Sequence, residues 1–289
     1  MRIFFIGAAA AVMALVLAVP AFRPGDEAVA AGVPSPFPEA PVSIAHRGAS
    51  GAAPENTFAA FDRAVRNGAD VLELDVRPSA DGRAAVVHDR TVDRTTNGSG
   101  EVASLSMNEL ARLDAGHRFA PQRGYPYRGT GEKIPMLREV LARYPETPLN
   151  VEIKAGGPGF ARTVARTILR SGAEDRVVVA SRSHASVAAV RRASGGAVPT
   201  GASTREVVTF FAASRLGLSG LLQPEYGRLQ LPATYRGIEL VTPELVSAAG
   251  RAGVPVDAWT INSPKDMARL KEMGVAGVVT DRPGDFERF

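Results

Sequence analysis

The chain has 289 residues, 45% hydrophobic and 22% charged, with mean hydropathy −0.02, enough apolar content for a large core and too little for several membrane spans; a disordered chain is excluded as well. Lys and Arg number 34 against 30 Asp and Glu, a formal charge of +4. The pI near 9.7 comes from 30 Arg against 4 Lys, and no basic run with interleaved aromatics marks a nucleic-acid groove, so nucleic acid is not an expected partner.

Cysteine is absent, which removes disulfides, thiolate metal sites and thiol nucleophiles together and leaves the redox compartment unspecified. Residues 1–30 begin with Arg2, continue as an apolar run from Ile3 to Val19, break at Pro20 and end in Ala28-Val29-Ala30. This is the pattern of a signal peptide cut after Ala30. An uncut N-terminal anchor is the alternative, because Ile3 to Phe22 is close to the about 20 residues that cross a bilayer. Either form predicts an exported protein, secreted or periplasmic/cell-surface. Membrane contact is expected only through an uncut leader or a lipid-derived substrate. Residues 31–41, with Pro34, Pro36, Pro38 and Pro41, read as a linker.

From Val42 onward short β-branched runs alternate with amphipathic segments. Val42–Ala45 predicts a strand, and Phe58, Phe61 and Val65 predict a helix capped by Thr57 and stopped by Gly68. Strands follow at 71–76 and 85–87, then a stretch rich in Gly, Thr, Ser, Arg and Tyr at 91–134, then a strand at 149–153. Helices at 159–170, 184–192, 205–214, 243–252 and 264–273 alternate with strands at 177–180, 197–202, 219–222, 238–241, 255–260 and 277–280. Such alternation means parallel strands joined by crossover helices. The number of units predicts an α/β fold, a (β/α)8 TIM barrel over residues 42–289, with 91–134 a small insertion subdomain after the third strand. No glycine-rich phosphate fingerprint opens the first unit, which argues against a doubly wound nucleotide-binding sheet.

Barrel chemistry sits at the C-terminal ends of the strands, and polar residues end these apolar runs: His46 and Arg47, Glu73 and Asp75, His88 and Asp89, Glu152 and Lys154, Trp259, and Asp281. An unpaired carboxylate costs several kcal/mol to bury. Alternate strand positions face one way, so Glu73 and Asp75 share a space and repel unless a cation lies there. Glu73, Asp75 and Glu152 are hard oxygen donors, suited to Mg2+ or Ca2+ rather than Zn2+; the plainer reading pairs these acids with arginine across the barrel. His46 and His88 have the side chain suited to proton transfer near neutrality, and a lone strand-end histidine is more often structural, whereas a pair beside a carboxylate cluster favours chemistry. Arg47 offers a fork for phosphate oxygens and Lys154 a point charge. His117 and His184 lack such company and read as surface or loop residues.

The ordered set His46-Arg47-Gly48, Pro54-Glu55-Asn56-Thr57, Glu73-x-Asp75, Asp81-Gly82, His88-Asp89, Arg94-Thr95-Thr96, Glu152-Ile153-Lys154 and Trp259-Thr260 resembles the glycerophosphodiester phosphodiesterase family over residues 42–283. The resemblance implies a barrel with an insertion after the third motif. It places the metal ligands on Glu73, Asp75 and Glu152, the acid/base pair on His46 and His88, and phosphate contacts on Arg47 and Lys154. Glu55 and Asn56 fall on positions supporting the first loop, and Trp259 on the aromatic lining the glycerol side. The implied cofactor is one divalent cation, Mg2+ or Ca2+, with Mn2+ also open. The implied reaction is hydrolysis of a small glycerophosphodiester to an alcohol and sn-glycerol 3-phosphate. Two other readings stand beside it: phospholipase D-like hydrolysis of lysophospholipids or other lipid phosphodiesters, with Phe119, Tyr125 and Tyr127 as a candidate apolar lining, and a non-catalytic surface barrel that binds phosphodiesters.

Overall fold

Strands that are apolar on both faces need cover on both, which a parallel sheet wrapped in helices supplies. The computed structural model, which describes residues 35–38 and 41–288, has this architecture; the predicted leader at 1–30 lies outside the described residues. Its strands are β1 (Val42–Ala45), β2 (Val71–Pro78), β3 (Ala84–Val86), β4 (Leu149–Ile153), β5 (Val177–Ala180), β6 (Leu229–Pro232), β7 (Thr234–Tyr235), β8 (Ile238–Glu239), β9 (Val256–Trp259) and β10 (Gly277–Thr280). The helices are α1 (Phe58–Arg66), α2 (Met107–Leu110), α3 (Leu137–Arg143), α4 (Gly157–Arg170), α5 (His184–Ser194), α6 (Thr204–Arg215), α7 (Pro243–Arg251) and α8 (Pro264–Glu272).

The parallel order is β5-β4-β2-β1-β10-β9-β6. Residues 200–201 span the remaining gap through the parallel bridges Val179↔Thr200 and Gly201↔Arg228, which completes a ring of eight staves and a (β/α)8 barrel. One set of alternating side chains faces the helices: Leu72, Leu74, Val76, Leu149, Val151 and Ile153 in one buried cluster, and Leu229, Leu231, Val256, Ala258 and Val278 in another. The other set fills the barrel, where Val42, Ile44, Val71, Val178 and Val279 pack with Phe37. Serine and threonine caps restart the chain after the staves. Thr57 accepts a hydrogen bond from the Ala60 N–H, as expected from sequence, and Ser183, Ser203, Thr242 and Ser263 do the same for α5 to α8.

Four predicted strands differ. The run at 85–87 is no stave: β3 pairs antiparallel with β2, folding back at its end. The run at 219–222 is a 3-10 turn, Ser219–Leu221, because a glycine there interrupts a stretch too short to pair. The run at 238–241 enters only an exposed hairpin with β7, and 197–202 is reduced to the two bridges. The sixth stave, β6, lies at 229–232 instead. It was hidden because its inward residues are polar, as shown by Gln230 hydrogen-bonded to Asp257. Between β3 and α3 the chain carries a small core of its own, with Val92, Val102, Met107, Leu110 and Ile134 buried together.

Candidate active site

The first loop is shaped by backbone conformation. Arg47 (φ 55°) and Asn56 (φ 57°) adopt the left-handed region, accessible to asparagine and uncommon for arginine. Gly48, at φ +80°, has the Ala60 carbonyl carbon 2.6 Å from where a Cβ would stand, so only glycine lets the turn close onto α1. This turn aims the Arg47 backbone N–H at Glu73 Oε2, 2.7 Å away. Asn56 donates from Nδ2 to Asp75 Oδ2 at 2.9 Å and accepts the Asp75 N–H at 3.1 Å. Glu55, beside it, accepts from Arg47 Nη1 at 3.0 Å.

On β2 and β4, Asp75 and Glu152 are direct register partners, with Glu73 two residues earlier. Ligand oxygens of Glu73, Asp75 and Glu152 all lie within 4.8 Å of one another. Lys154 Nζ stands 2.7 Å from Glu152 Oε2 and 3.1 Å from Asp75 Oδ1, and Arg47 Nε is 3.1 Å from Asp75 Oδ2. These cations do not complete the site: Asp75 Oδ1 is buried without an aligned hydrogen bond. Burial, with the Asp75 charge beside it, pushes the Glu73 carboxyl up to about 8. Burial also opposes ionisation of Asp75, but Lys154 and Arg47 outweigh it and hold that carboxyl below its usual range. A buried trio in which one carboxyl is kept from ionising is short of positive charge, and all-oxygen donors fit a hard divalent cation.

The histidines flank this trio in matching fashion. His46 follows β1 and its Nδ1 is 2.7 Å from Asp281 Oδ1, at the end of β10. Asp281 is fixed by Ser50 Oγ at 2.7 Å and Asn262 Nδ2 at 2.6 Å. His88 Nδ1 is 2.6 Å from Asp89 Oδ1. Arg94 donates to Asp89 Oδ2 at 2.5 Å and grips Glu55 with two bonds of 2.7 Å. A carboxylate only accepts, so each Nδ1 carries the hydrogen and each Nε2 is left for other partners. Burial works against the charged form of His46, yet the Asp281 hydrogen bond and nearby Glu73 prevail and raise its pKa. The Asp281 carboxyl is held far below the usual range despite burial, by His46, Ser50 and Asn262. Hydrogen bonds from Arg94 and His88 likewise overcome desolvation and lower Asp89 to about 2.

Trp259 ends β9, half-buried against the barrel interior. His117 and His184 stand apart, near Asp114 (3.6 Å) and Ser203 (3.3 Å). The orienting groups Asp281, Asp89, Asn262 and Arg94 had no predicted role. The signals were a carboxylate next to a strand-end histidine and another ending the last strand, which in a closed barrel adjoins the first.

A family model described as the glycerophosphoryl diester phosphodiesterase family matches residues 46–285. A glycerophosphodiester phosphodiesterase of Caldanaerobacter subterraneus is 36% identical over 250 residues, 83% of this chain and 93% of the relative. A rat protein named lysophospholipase D GDPD1 is 27% identical over 267 residues, 85% of each chain. Among solved structures, an Oleispira antarctica phosphodiesterase in complex with the product sn-glycerol-3-phosphate is similar at TM-score 0.69 and 27% identity, covering 86% of this chain and 96% of that one.

Proposed function

Because the chain belongs to the glycerophosphoryl diester phosphodiesterase family, a family of phosphoric diester hydrolases, we propose that it cleaves glycerophosphodiesters to an alcohol and sn-glycerol 3-phosphate by histidine acid/base catalysis with a divalent cation. The observation that carries this reading is the pair of carboxylate-tethered histidines on either side of the Glu73, Asp75 and Glu152 trio. Residues 42–289 would form the catalytic barrel domain.

A phosphodiester anion repels nucleophiles, so its charge must be neutralised while an attacking oxygen lines up with the leaving alkoxide. A divalent cation held by Glu73, Asp75 and Glu152 would supply Lewis-acid neutralisation. Arg47 and Lys154 place fixed positive charge beside it. His46, with its raised pKa, is suited to hold a proton at Nε2 and deliver it to the leaving alcohol oxygen. His88 Nε2 then takes the proton from the nucleophile, either water or the glycerol 2-hydroxyl, the latter closing a cyclic phosphate that water opens in a second step. A lysophospholipid substrate would need an apolar lining. The insertion aromatics pack on themselves instead, Phe119 edge-on to Tyr127 at 5.4 Å and Arg128 over Tyr125 at 3.7 Å, which favours a small, soluble diester.

Removing cations with EDTA is expected to abolish turnover, with recovery on adding Mg2+, Ca2+ or Mn2+; full activity in EDTA would sink the metal role. Cation binding has a pH signature. Glu73 gains a proton below about 8, and a cation must displace it, so affinity should rise with pH up to that value and then level off. Calorimetry in buffers of different ionisation heat should show proton release near pH 7. In Glu73→Gln that release should be lost, and excess cation should restore only part of the activity; unchanged proton release would contradict the assignment.

Residues 1–30 are part of the same proposal, as an export signal or uncut anchor. The exported protein should begin near Ala31 if the leader is cut, which N-terminal sequencing reads directly; a cytoplasmic protein with an intact leader would refute export.

A further inference from the structure

The two histidines are held by different means. His46 follows β1, a stave between β2 and β10, and its backbone N–H donates to the Thr280 carbonyl at 2.8 Å. His88 lies off the ring of staves, two residues past β3, a three-residue strand paired antiparallel with β2. The last backbone bond of that arm runs from the Val87 N–H to the Asp75 carbonyl at 3.0 Å, and the next is made by the Arg90 carbonyl, which accepts the Val102 N–H at 3.0 Å. Among the described residues, the main chain of His88 and Asp89 makes no backbone–backbone hydrogen bond between these two points. Arg77 fills the gap, donating from Nε to the His88 carbonyl at 2.6 Å.

Arg77 continues the face of β2 that carries Glu73 and Asp75, because strand positions two apart point the same way. One strand therefore holds two of the three predicted cation ligands and the group that fixes His88. A guanidinium bond to a carbonyl is charge-assisted, and among the described residues no carboxylate oxygen lies within 4.0 Å of Arg77 to draw it away. The His88 ring is tied to Asp89, its neighbour in the chain, and Asp89 to Arg94, a side chain that is half exposed. That link steadies the ring from the solvent side, and Arg77 steadies its main chain from the barrel. A reacting group displaced by about 1 Å can lose about 10²-fold in rate. Resting on the phosphodiesterase reading above, we infer that Arg77 is a positioning residue: it locks the main chain of His88 to the strand of the cation ligands, and so sets His88 Nε2 against the reacting oxygen.

The test measures kcat and KM of the cation-loaded full chain for glycerophosphocholine. Arg77→Met, which keeps most of the bulk and loses the donor, should lower kcat by about tenfold to a hundredfold, with KM and cation affinity changed by less than about twofold. Arg77→Lys, which still carries a donor, should recover most of that loss. The deciding readout is coupling. Added to His88→Ala, Arg77→Met should cost nothing further, whereas added to His46→Ala it should cost its full factor. The same loss in both backgrounds, a loss carried by KM or cation affinity, or an unchanged kcat in Arg77→Met would overturn the inference. With only 4 histidines in the chain, the His88 ring N–H can also be followed by NMR without turnover. Arg77→Met should speed its exchange with water by about fivefold or more and leave that of His46 unchanged; equal effects on the two rings would again overturn the inference. No turnover of any glycerophosphodiester by the wild type, with that difference in exchange present, would instead overturn the phosphodiesterase reading.

Discussion

Alanine in place of His46 or His88 is expected to lower kcat by about 10²–10⁴-fold, the range for loss of one positioned acid or base, while leaving cation affinity near that of the wild type. The separation follows from the geometry, since both histidines bond outward through Nδ1 to Asp281 and Asp89 and neither belongs to the acidic trio. Their roles can be told apart by the leaving group. A glycerophosphodiester of p-nitrophenol departs without a proton, so His46→Ala should recover most of its rate on that substrate, whereas His88→Ala should stay slow because its nucleophile still needs a base. Asp281→Asn should mimic His46→Ala more mildly, by presenting the wrong partner to Nδ1 and loosening the ring. Near-normal turnover in either histidine variant would dismiss the acid/base assignment, and recovery of His88→Ala rather than His46→Ala would reverse it.

The trio and the histidines were legible in the sequence because they break a rule visible in one dimension. Charges in β-branched runs, as in Val71-Leu72-Glu73-Leu74-Asp75-Val76, are expensive unless they serve a site, and period-two spacing already places Glu73 and Asp75 on one face. The partners that tune them were not legible, because their distances in sequence are long: His46 meets Asp281 across 235 positions and Arg94 meets Glu55 across 39. Only barrel closure makes the first and last strands neighbours. The misplaced sixth stave has a related cause. Hydrophobic periodicity detects a strand by its apolar face, and β6 turns Arg228 and Gln230 inward, so the segment reads as a loop while the flanking 219–222 and 238–241 read as strands.

That inward arginine carries the largest expected effect on stability. Arg228 and Asp257 are 3% and 0% exposed, joined by two bonds, from Nε to Oδ2 at 2.6 Å and from a terminal NH2 group to Oδ1. Gln230 donates to both Asp257 (3.1 Å) and Asn150 (3.3 Å). Arg228 also donates to Ser35 at 2.9 Å and lies over the Phe37 ring at 4.6 Å, so the segment before β1 seals the end of the barrel away from the catalytic mouth. Space there is fully used: a Cβ at Gly277 would collide with the Asp257 carboxylate and stand 2.9 Å from Ile44 Cδ1. Asp257→Ala is therefore expected to destabilise the protein by about 3–5 kcal/mol, since it strands a buried guanidinium that forms no other ion pair among the described residues. Urea unfolding should show the loss as a lower midpoint with an unchanged slope. The pair itself is worth less than its breakage costs, because both charges were desolvated to form it. The double variant Arg228→Met/Asp257→Leu should thus recover much of the stability lost by Asp257→Ala, a non-additivity expected of groups in direct contact. Folded enzyme with either change should retain its cation affinity, because neither Arg228 nor Asp257 bonds a member of the acidic trio. If Asp257→Ala unfolded at the wild-type urea concentration, the buried pair would not be what holds this end closed.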